Sequence, residues 1–330
     1  MYLDNAATRG IFANASSPHA LGQEAREALK KARQTFAELL QADESEVYFT
    51  SGGTEANNLG IIGSLTPLWR KNKKSPVKAA LLGENHPSVV EPIKHTREIG
   101  VTEASLAKEA AFIACTYVCG ETGDIFDFNN FIFNQENKIC FIDGAQAFPY
   151  FSRPLLKIPS LYTISGHKFG APLGVGILLV DKNIKIQPLT FGGGQEKKLR
   201  PGTENIAAIR ETAELAQKIY RERETKIANA RKIKAVFESI ALEAQGVRIN
   251  GKAQERSPFI LSFFLEKARG DHLTNMLSQK NIYVSTGAAC KSRAGRSQTA
   301  RLSFSGEEDL EKALLAKQEI IKAIDYLNNL

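Results

Sequence analysis

The strongest constraint on this chain's fold is a series of short, unbroken apolar runs: "EVYFT", "AALLG", "AFIACTYV", "KICFID" and "LYTIS". They are separated by stretches of helical or loop character. A strand with one wet face alternates apolar and polar residues, whereas runs this continuous are buried on both faces, as in a mostly parallel sheet covered by helices. The segment "GQEAREALKKARQTFAELLQ" has the other period, with Ala25, Leu29, Ala32, Phe36 and Leu40 on one helical face. An α/β domain is the expectation. After "FGGGQEKKLRPGTEN" a long helical pattern runs from about residue 205 to residue 244. Four strand candidates follow, "GVRIN", "SPFILSFFL", "NIYVS" and "TARLSFS", with two more helices. That mixture suits a smaller α+β domain.

The chain has 330 residues, 43% of them hydrophobic. That length buries a core in the ordinary way and suggests about two domains. No apolar run approaches the roughly 20 residues a membrane helix requires. The opening "MYLDNAATRG" carries an acid where a secretory signal has a basic and then an apolar segment. A cytoplasmic protein with no membrane partner is expected. Cys115, Cys119, Cys140 and Cys290 are too few and too unevenly spaced for a disulfide framework, and Cys115 with Cys119 has no second pair to complete a zinc site. The formal charge is +7, and much of the excess lies in "IYRERETKIANARKIKAVFE", where acids and bases alternate at helical spacing. A solvated helix face accounts for it, so direct nucleic-acid binding is not indicated.

Three segments carry chemistry. In "FTSGGTEANN" the glycines let backbone N–H groups approach an anion, and a helix opening near Thr54 adds its positive end. The plain alternative is a strand-to-helix turn capped by Thr54. "FIDGAQAF" ends a strand on Asp143, at the edge where open α/β sheets bind ligands, although Asp143 also suits an N-cap. "YTISGHKFGAPLGVG" sets Lys168 among glycines in a turn between apolar runs. A phosphate cup, a strand-end carboxylate for a ring nitrogen and a strand-end lysine are together what pyridoxal phosphate requires.

With "YLDNAAT", "ENHPSVVEP", "RPGTEN" and "STGAACKS" added to these, the chain resembles the cysteine desulfurases of the class V aminotransferase group, along nearly its whole length. The resemblance implies a fold-type I pyridoxal-phosphate-dependent transferase. Its large cofactor-binding domain would span 16–225, and its small domain 1–15 with 226–330. It implies Lys168 as the Schiff-base lysine, with Ser165 and His167 touching the phosphate beside Gly53 and Thr54. His86 would stack on the pyridine ring and shuttle protons, Asp143 would bind the ring nitrogen, and Gln146 the phenolic oxygen. Thr203 would reach the phosphate of the other subunit, which implies a homodimer with shared sites. Cys290 matches the nucleophile that takes sulfur from L-cysteine for a sulfur-acceptor protein, and Arg301 matches the arginine that holds the substrate carboxylate. For the other three cysteines a buried structural role is expected.

Departures from the pattern are equally legible. "VCGETG" places Cys119 and Gly120 where the family has two asparagines, one of which contacts the cofactor oxygen and substrate carboxylate. Only Arg9 to Asn14 intervene between "YLDNAAT" and "ASSPHALG", and Cys290 and Arg301 are close together in sequence. Besides a cysteine desulfurase, the sequence admits a selenocysteine or C–S lyase of the same fold. It also admits a weakened relative acting as a scaffold in sulfur trafficking.

Overall fold

The structure, a computed structural model, describes residues 2–9, 13–72, 76–104, 107–128, 138–287 and 297–329. It divides into two compact units, one of residues 1–117 with 127–221 and the other of residues 118–126 with 222–330. The N-terminal segment, expected with the small domain, groups with the first unit. Asp4 ties it there, accepting from Ser17 Oγ at 2.6 Å and lying 3.2 Å from His19 Nε2.

In the first unit, α1 (Ala20–Leu40), β1 (Val47–Thr50), α2 (Gly53–Lys71), β2 (Val77–Leu82), α3 (Pro87–His95), β3 (Val101–Glu103) and β4 (Phe112–Thr116) are followed by β5 (Ile139–Asp143), β6 (Ser160–Ser165) and β7 (Gly176–Val180). The strands make one seven-stranded sheet in the order β1-β7-β6-β5-β4-β2-β3. Neighbours from β3 to β6 are parallel. β7 runs antiparallel to both β6 and β1, so β1 again points with the majority. The apolar runs explain the burial: β6 and β7 are buried at every residue, and β4 and β5 at all but one. The core over one sheet face joins Leu59, Ile61 and Leu65 of α2 to Phe112, Phe141, Leu161 and Leu178. α1 buries Ala25, Ala32, Phe36 and Leu40 as its period predicts, with Leu29 only half-buried.

α4 (Ile206–Glu238) begins in the first unit and ends in the second. The second unit continues with α5 (Ile240–Glu243), β8 (Val247–Ile249), β9 (Ile260–Leu265), α6 (Gly270–Ser278), β10 (Thr299–Ser303) and α7 (Leu310–Asn328). Its three strands form an antiparallel sheet in the order β10-β9-β8. The core there gathers Phe237, Phe263, Leu273, Leu302 and Ile324. "NIYVS", expected as a strand, is not one: only Ser285 pairs, in an isolated bridge to Arg301. Asn281 has φ 58° and Tyr283 is 77% exposed, while Ile282 and Val284 pack against the second unit's core without strand pairing.

Residues 118–126 are a strap that follows β4 in sequence and groups with the second unit. Val118 bridges Ile125, and Asp124 bridges Arg256. Ile125 N donates to Glu255 O at 3.1 Å, and Ser257 N to Gly123 O at 2.7 Å. Gly123 is required at φ 80°, where a Cβ would also stand 3.0 Å from Ile260 O.

Candidate active site

Because β1, β2, β4, β5 and β6 all point the same way, their carboxyl ends share one edge of the first unit's sheet. The turns leaving that edge carry the residues singled out by sequence. α2 starts with Gly52 as N-cap and no side-chain cap bond, so Thr54 does not cap it. The helix therefore leaves its first N–H groups, and its positive end, for an anion. Gly53 lies against β6: a Cβ there would meet Ser165 Cβ at 3.0 Å and Oγ at 3.3 Å. Gly52 is backed by Gly176, whose Cβ would stand 2.4 Å from the Gly52 carbonyl carbon.

β6 runs directly into the 3-10 turn Gly166–Phe169, which carries Lys168 at an exposed position. Ser165 Oγ lies 3.2 Å from His167 Nδ1. Burial, reinforced by the neighbouring Lys168 charge, pushes the His167 imidazole below its ordinary value and favours its neutral form. At the end of β5, Asp143 is buried and hydrogen-bonded at both oxygens. Oδ1 accepts from Ala145 N at 3.0 Å, and Oδ2 from Asn57 Nδ2 at 3.1 Å. The carboxylate thus caps the turn that follows the strand end. Gln146 is half-buried in that same turn.

His86 follows β2 and is the N-cap of α3, its Nδ1 accepting from Ser88 N at 3.2 Å. Asn57, Ser88 and Thr163, given no role by sequence, join these elements. Thr163 Oγ1 donates to Asn57 Oδ1 at 2.7 Å, and Asn57 Nδ2 donates also to Ser88 Oγ at 2.8 Å. Asn57 was visible only as part of "SGGTEANN", a polar residue buried four positions into a helix.

The segment 190–204 returns to the α2 N-terminus through Arg200, whose Nε is 2.9 Å from Glu55 Oε1. Burial pushes the Glu55 carboxyl up, but hydrogen bonds from Arg200 and Ser51 outweigh it and hold it below the usual range. Thr203, just beyond, is exposed. Glu196 in this segment is buried despite its charged surroundings. Its carboxylate takes Arg33 Nη2 at 2.6 Å, Arg33 Nη1 at 3.0 Å and Phe49 N at 2.9 Å.

Arg301 belongs to the second unit, on β10. Its Nη1 donates to Gly120 O of the strap at 2.6 Å, and its Nη2 lies 3.4 Å from Ser285 Oγ. Burial lowers its value from the ordinary one, partly offset by Glu121 and Cys119. Gly120, one of the two positions that depart from the family pattern, thus meets the Arg301 guanidinium through its backbone carbonyl. Cys290 lies outside the described residues. Cys115, Cys119 and Cys140 are buried, as the sequence reading expects.

The sequence matches the aminotransferase class-V family over residues 2–312. The chain belongs to that family. Among similar proteins, a NifS/IcsS protein homolog of Lactobacillus delbrueckii subsp. bulgaricus is 30% identical, covering 97% of this chain and 93% of its own. A cysteine desulfurase of Trichormus azollae is 29% identical over 88% of this chain and 81% of its own. A solved NifS-like protein superposes with a TM-score of 0.82 at 24% identity, over 95% of this chain and 92% of that one. It shows the same fold. Class-V aminotransferases use pyridoxal phosphate, and the residues here suit it: the uncapped α2 N-terminus with Ser165 for the phosphate, Asp143 for the ring nitrogen and Lys168 for the carbonyl carbon. Among the described residues no cluster could hold a metal ion, and no helix is long and apolar enough to cross a membrane.

Proposed function

We propose that this class-V aminotransferase is a cysteine desulfurase, converting L-cysteine to L-alanine and holding the sulfur as a persulfide on Cys290. The observation that carries the reading is the meeting, at one sheet edge, of an open helix N-terminus, a hydrogen-bonded strand-end carboxylate and an exposed lysine. Relatives bearing the name cysteine desulfurase favour this chemistry over others of the family.

Pyridoxal phosphate, when bound, supplies an electron sink for the pair left at the substrate Cα. The chain does the rest. The α2 N-terminus, Ser165 and His167 hold the phosphate; neutral His167 can accept or donate a hydrogen bond there without adding charge. Asp143, oriented by its hydrogen bonds from Ala145 N and Asn57 Nδ2, would face the ring nitrogen. Lys168, exposed at the end of β6, would hold the cofactor through its amine. Arg301, charged and planar, grips the substrate carboxylate. Cys290 attacks the substrate sulfur as a thiolate: the S–S bond forms as the Cβ–S bond breaks, and the pair left on carbon is protonated to give alanine. The persulfide then passes to an acceptor protein. The enzyme works in the cytoplasm as a homodimer, exposed Thr203 completing the phosphate site of the other subunit.

The test is to supply L-cysteine and measure alanine and persulfide together, in wild type and Cys290→Ser. Equal amounts of the two in wild type, with loss of persulfide but an unchanged cofactor spectrum in Cys290→Ser, are expected. Sulfide release by Cys290→Ser at the wild-type rate would make the protein a C–S lyase. A preference for selenocysteine would make it a selenocysteine lyase, and no turnover of either substrate would leave the scaffold reading.

A further inference from the structure

The hydrogen bonds around Asn57 have only one consistent direction. Asp143 and the Asn57 carbonyl oxygen are acceptors, whereas the Asn57 NH2 group can only donate. Thr163 Oγ1, 2.7 Å from Asn57 Oδ1, must therefore be the donor. A flipped amide would set its oxygen against the Asp143 carboxylate. The NH2 group accordingly gives one hydrogen to Asp143 Oδ2 at 3.1 Å and the other to Ser88 Oγ at 2.8 Å. Ser88 Oγ is an acceptor in that bond and lies 2.8 Å from His86 Nδ1, and because that nitrogen already accepts from the Ser88 backbone, the hydroxyl turns its own hydrogen to it. The backbone N–H of Ser88 donates to the same nitrogen at 3.2 Å. Two donors on Nδ1 leave no room for a proton there, so the neutral ring carries it on Nε2. Thr163 and Asn57 are 0% and 2% exposed, so water does not compete for the anchoring end of the chain.

We infer that Ser88 is a positioning residue that locks His86 in its Nε2–H tautomer, through a directed relay Thr163–Asn57–Ser88 anchored on Asp143. The ring works from Nε2 as a hydrogen-bond donor, with Nδ1 engaged as the acceptor. A His86 that received the substrate's Cα proton on Nε2 would need the opposite tautomer. The inference thus narrows the role of His86 in the proposed reaction to donation, and it rests on that reading only for the statement that His86 faces the cofactor.

The tautomer itself is measurable without turnover. Histidine-selective 15N labelling of the full chain gives five imidazoles, and His86→Gln identifies the signal of interest. Wild type, with and without pyridoxal phosphate, should show an unprotonated Nδ1 and a protonated Nε2. Ser88→Thr, which keeps the hydroxyl, should do the same. Ser88→Ala loses one of the two donors, so the ratio of Nε2–H to Nδ1–H forms should fall by roughly tenfold, the worth of one hydrogen bond. A protonated Nδ1 in wild type, or a ratio unchanged in Ser88→Ala, would overturn the lock. Loss of cysteine turnover with an intact tautomer ratio would count against the desulfurase reading and leave the lock standing.

Discussion

Glu196 offers the sharpest test of how the site segment is held. Its side chain is 1% exposed and that of its partner Arg33 is 16% exposed. Removing the carboxylate with Glu196→Ala strands a guanidinium and the Phe49 N–H together. Arg33 Nη1 keeps its bond to the Val47 carbonyl, which softens the loss. Breaking a buried ion pair from one side costs about 3–5 kcal/mol, and an orphaned buried N–H about 1–3 kcal/mol. These overlap because the two Glu196 oxygens serve both partners, so the expected loss is about 4 kcal/mol. Alanine is the right replacement: Glu196 sits at φ 45°, ψ 43°, and alanine retains the Cβ strain that glycine would relieve. In a unit of this size about 4 kcal/mol corresponds to a fall in Tm of roughly 8–16 °C. Thermal and urea unfolding of the cofactor-free protein would read it. A double variant, Arg33→Met with Glu196→Leu, should recover more than half of the loss, since removing both charges removes the stranded one. A loss below about 1 kcal/mol in Glu196→Ala would refute the reasoning.

Burial pushes the Glu204 carboxyl above its usual range, and its Oε2 is buried without a hydrogen-bond partner among the described residues. A carboxyl raised on folding disfavours the folded state wherever it is ionised, and the penalty disappears as pH falls through the raised value and then the ordinary one. Glu204→Gln should therefore be more stable than wild type at pH 7, with the difference shrinking towards pH 4 in parallel urea titrations. Gly144→Ala should destabilise by about 1–3 kcal/mol or more, the range for overpacking. Its Cβ would stand 2.1 Å from Tyr162 Cζ, inside a fully buried ring; an unchanged melting curve would count against that packing.

The sheet was legible because its central strands β4, β5 and β6 are buried on both faces, which leaves an unbroken apolar signature, and because β1 and β2 carry shorter apolar runs. The turns that bear Gly53, Asp143 and Lys168 were legible for a related reason, since glycines and polar residues must stand where such runs end. Residues whose roles depend on distant partners were not. Glu196 sits in "GGGQEKK", which looks too charged to be core, yet its partner Arg33 comes 163 positions earlier. The partners of Asn57 are 31, 86 and 106 positions away, at Ser88, Asp143 and Thr163. No local period encodes such pairing. The Gly120 carbonyl on Arg301 was hidden for another reason: a backbone acceptor has no side chain by which a sequence could announce it.

The strap also bears on synthesis. Residues 118–126 emerge from the ribosome with the first unit, but Glu255, Arg256 and Ser257, to which they bond, come about 130 residues later. At ribosomal rates of about 5–20 residues per second, that gap is roughly 6–26 s. For that interval the nascent chain holds a nine-residue loop without its partners at Glu255, Arg256 and Ser257, including Val118 and Cys119, which are buried in the finished protein. A C-terminal fragment beginning at residue 222 would lack the same loop and leave Arg301 without the carbonyl it holds. The second unit is thus assembled from two separate moments of translation, and a split of the gene at the apparent boundary would yield two incomplete pieces.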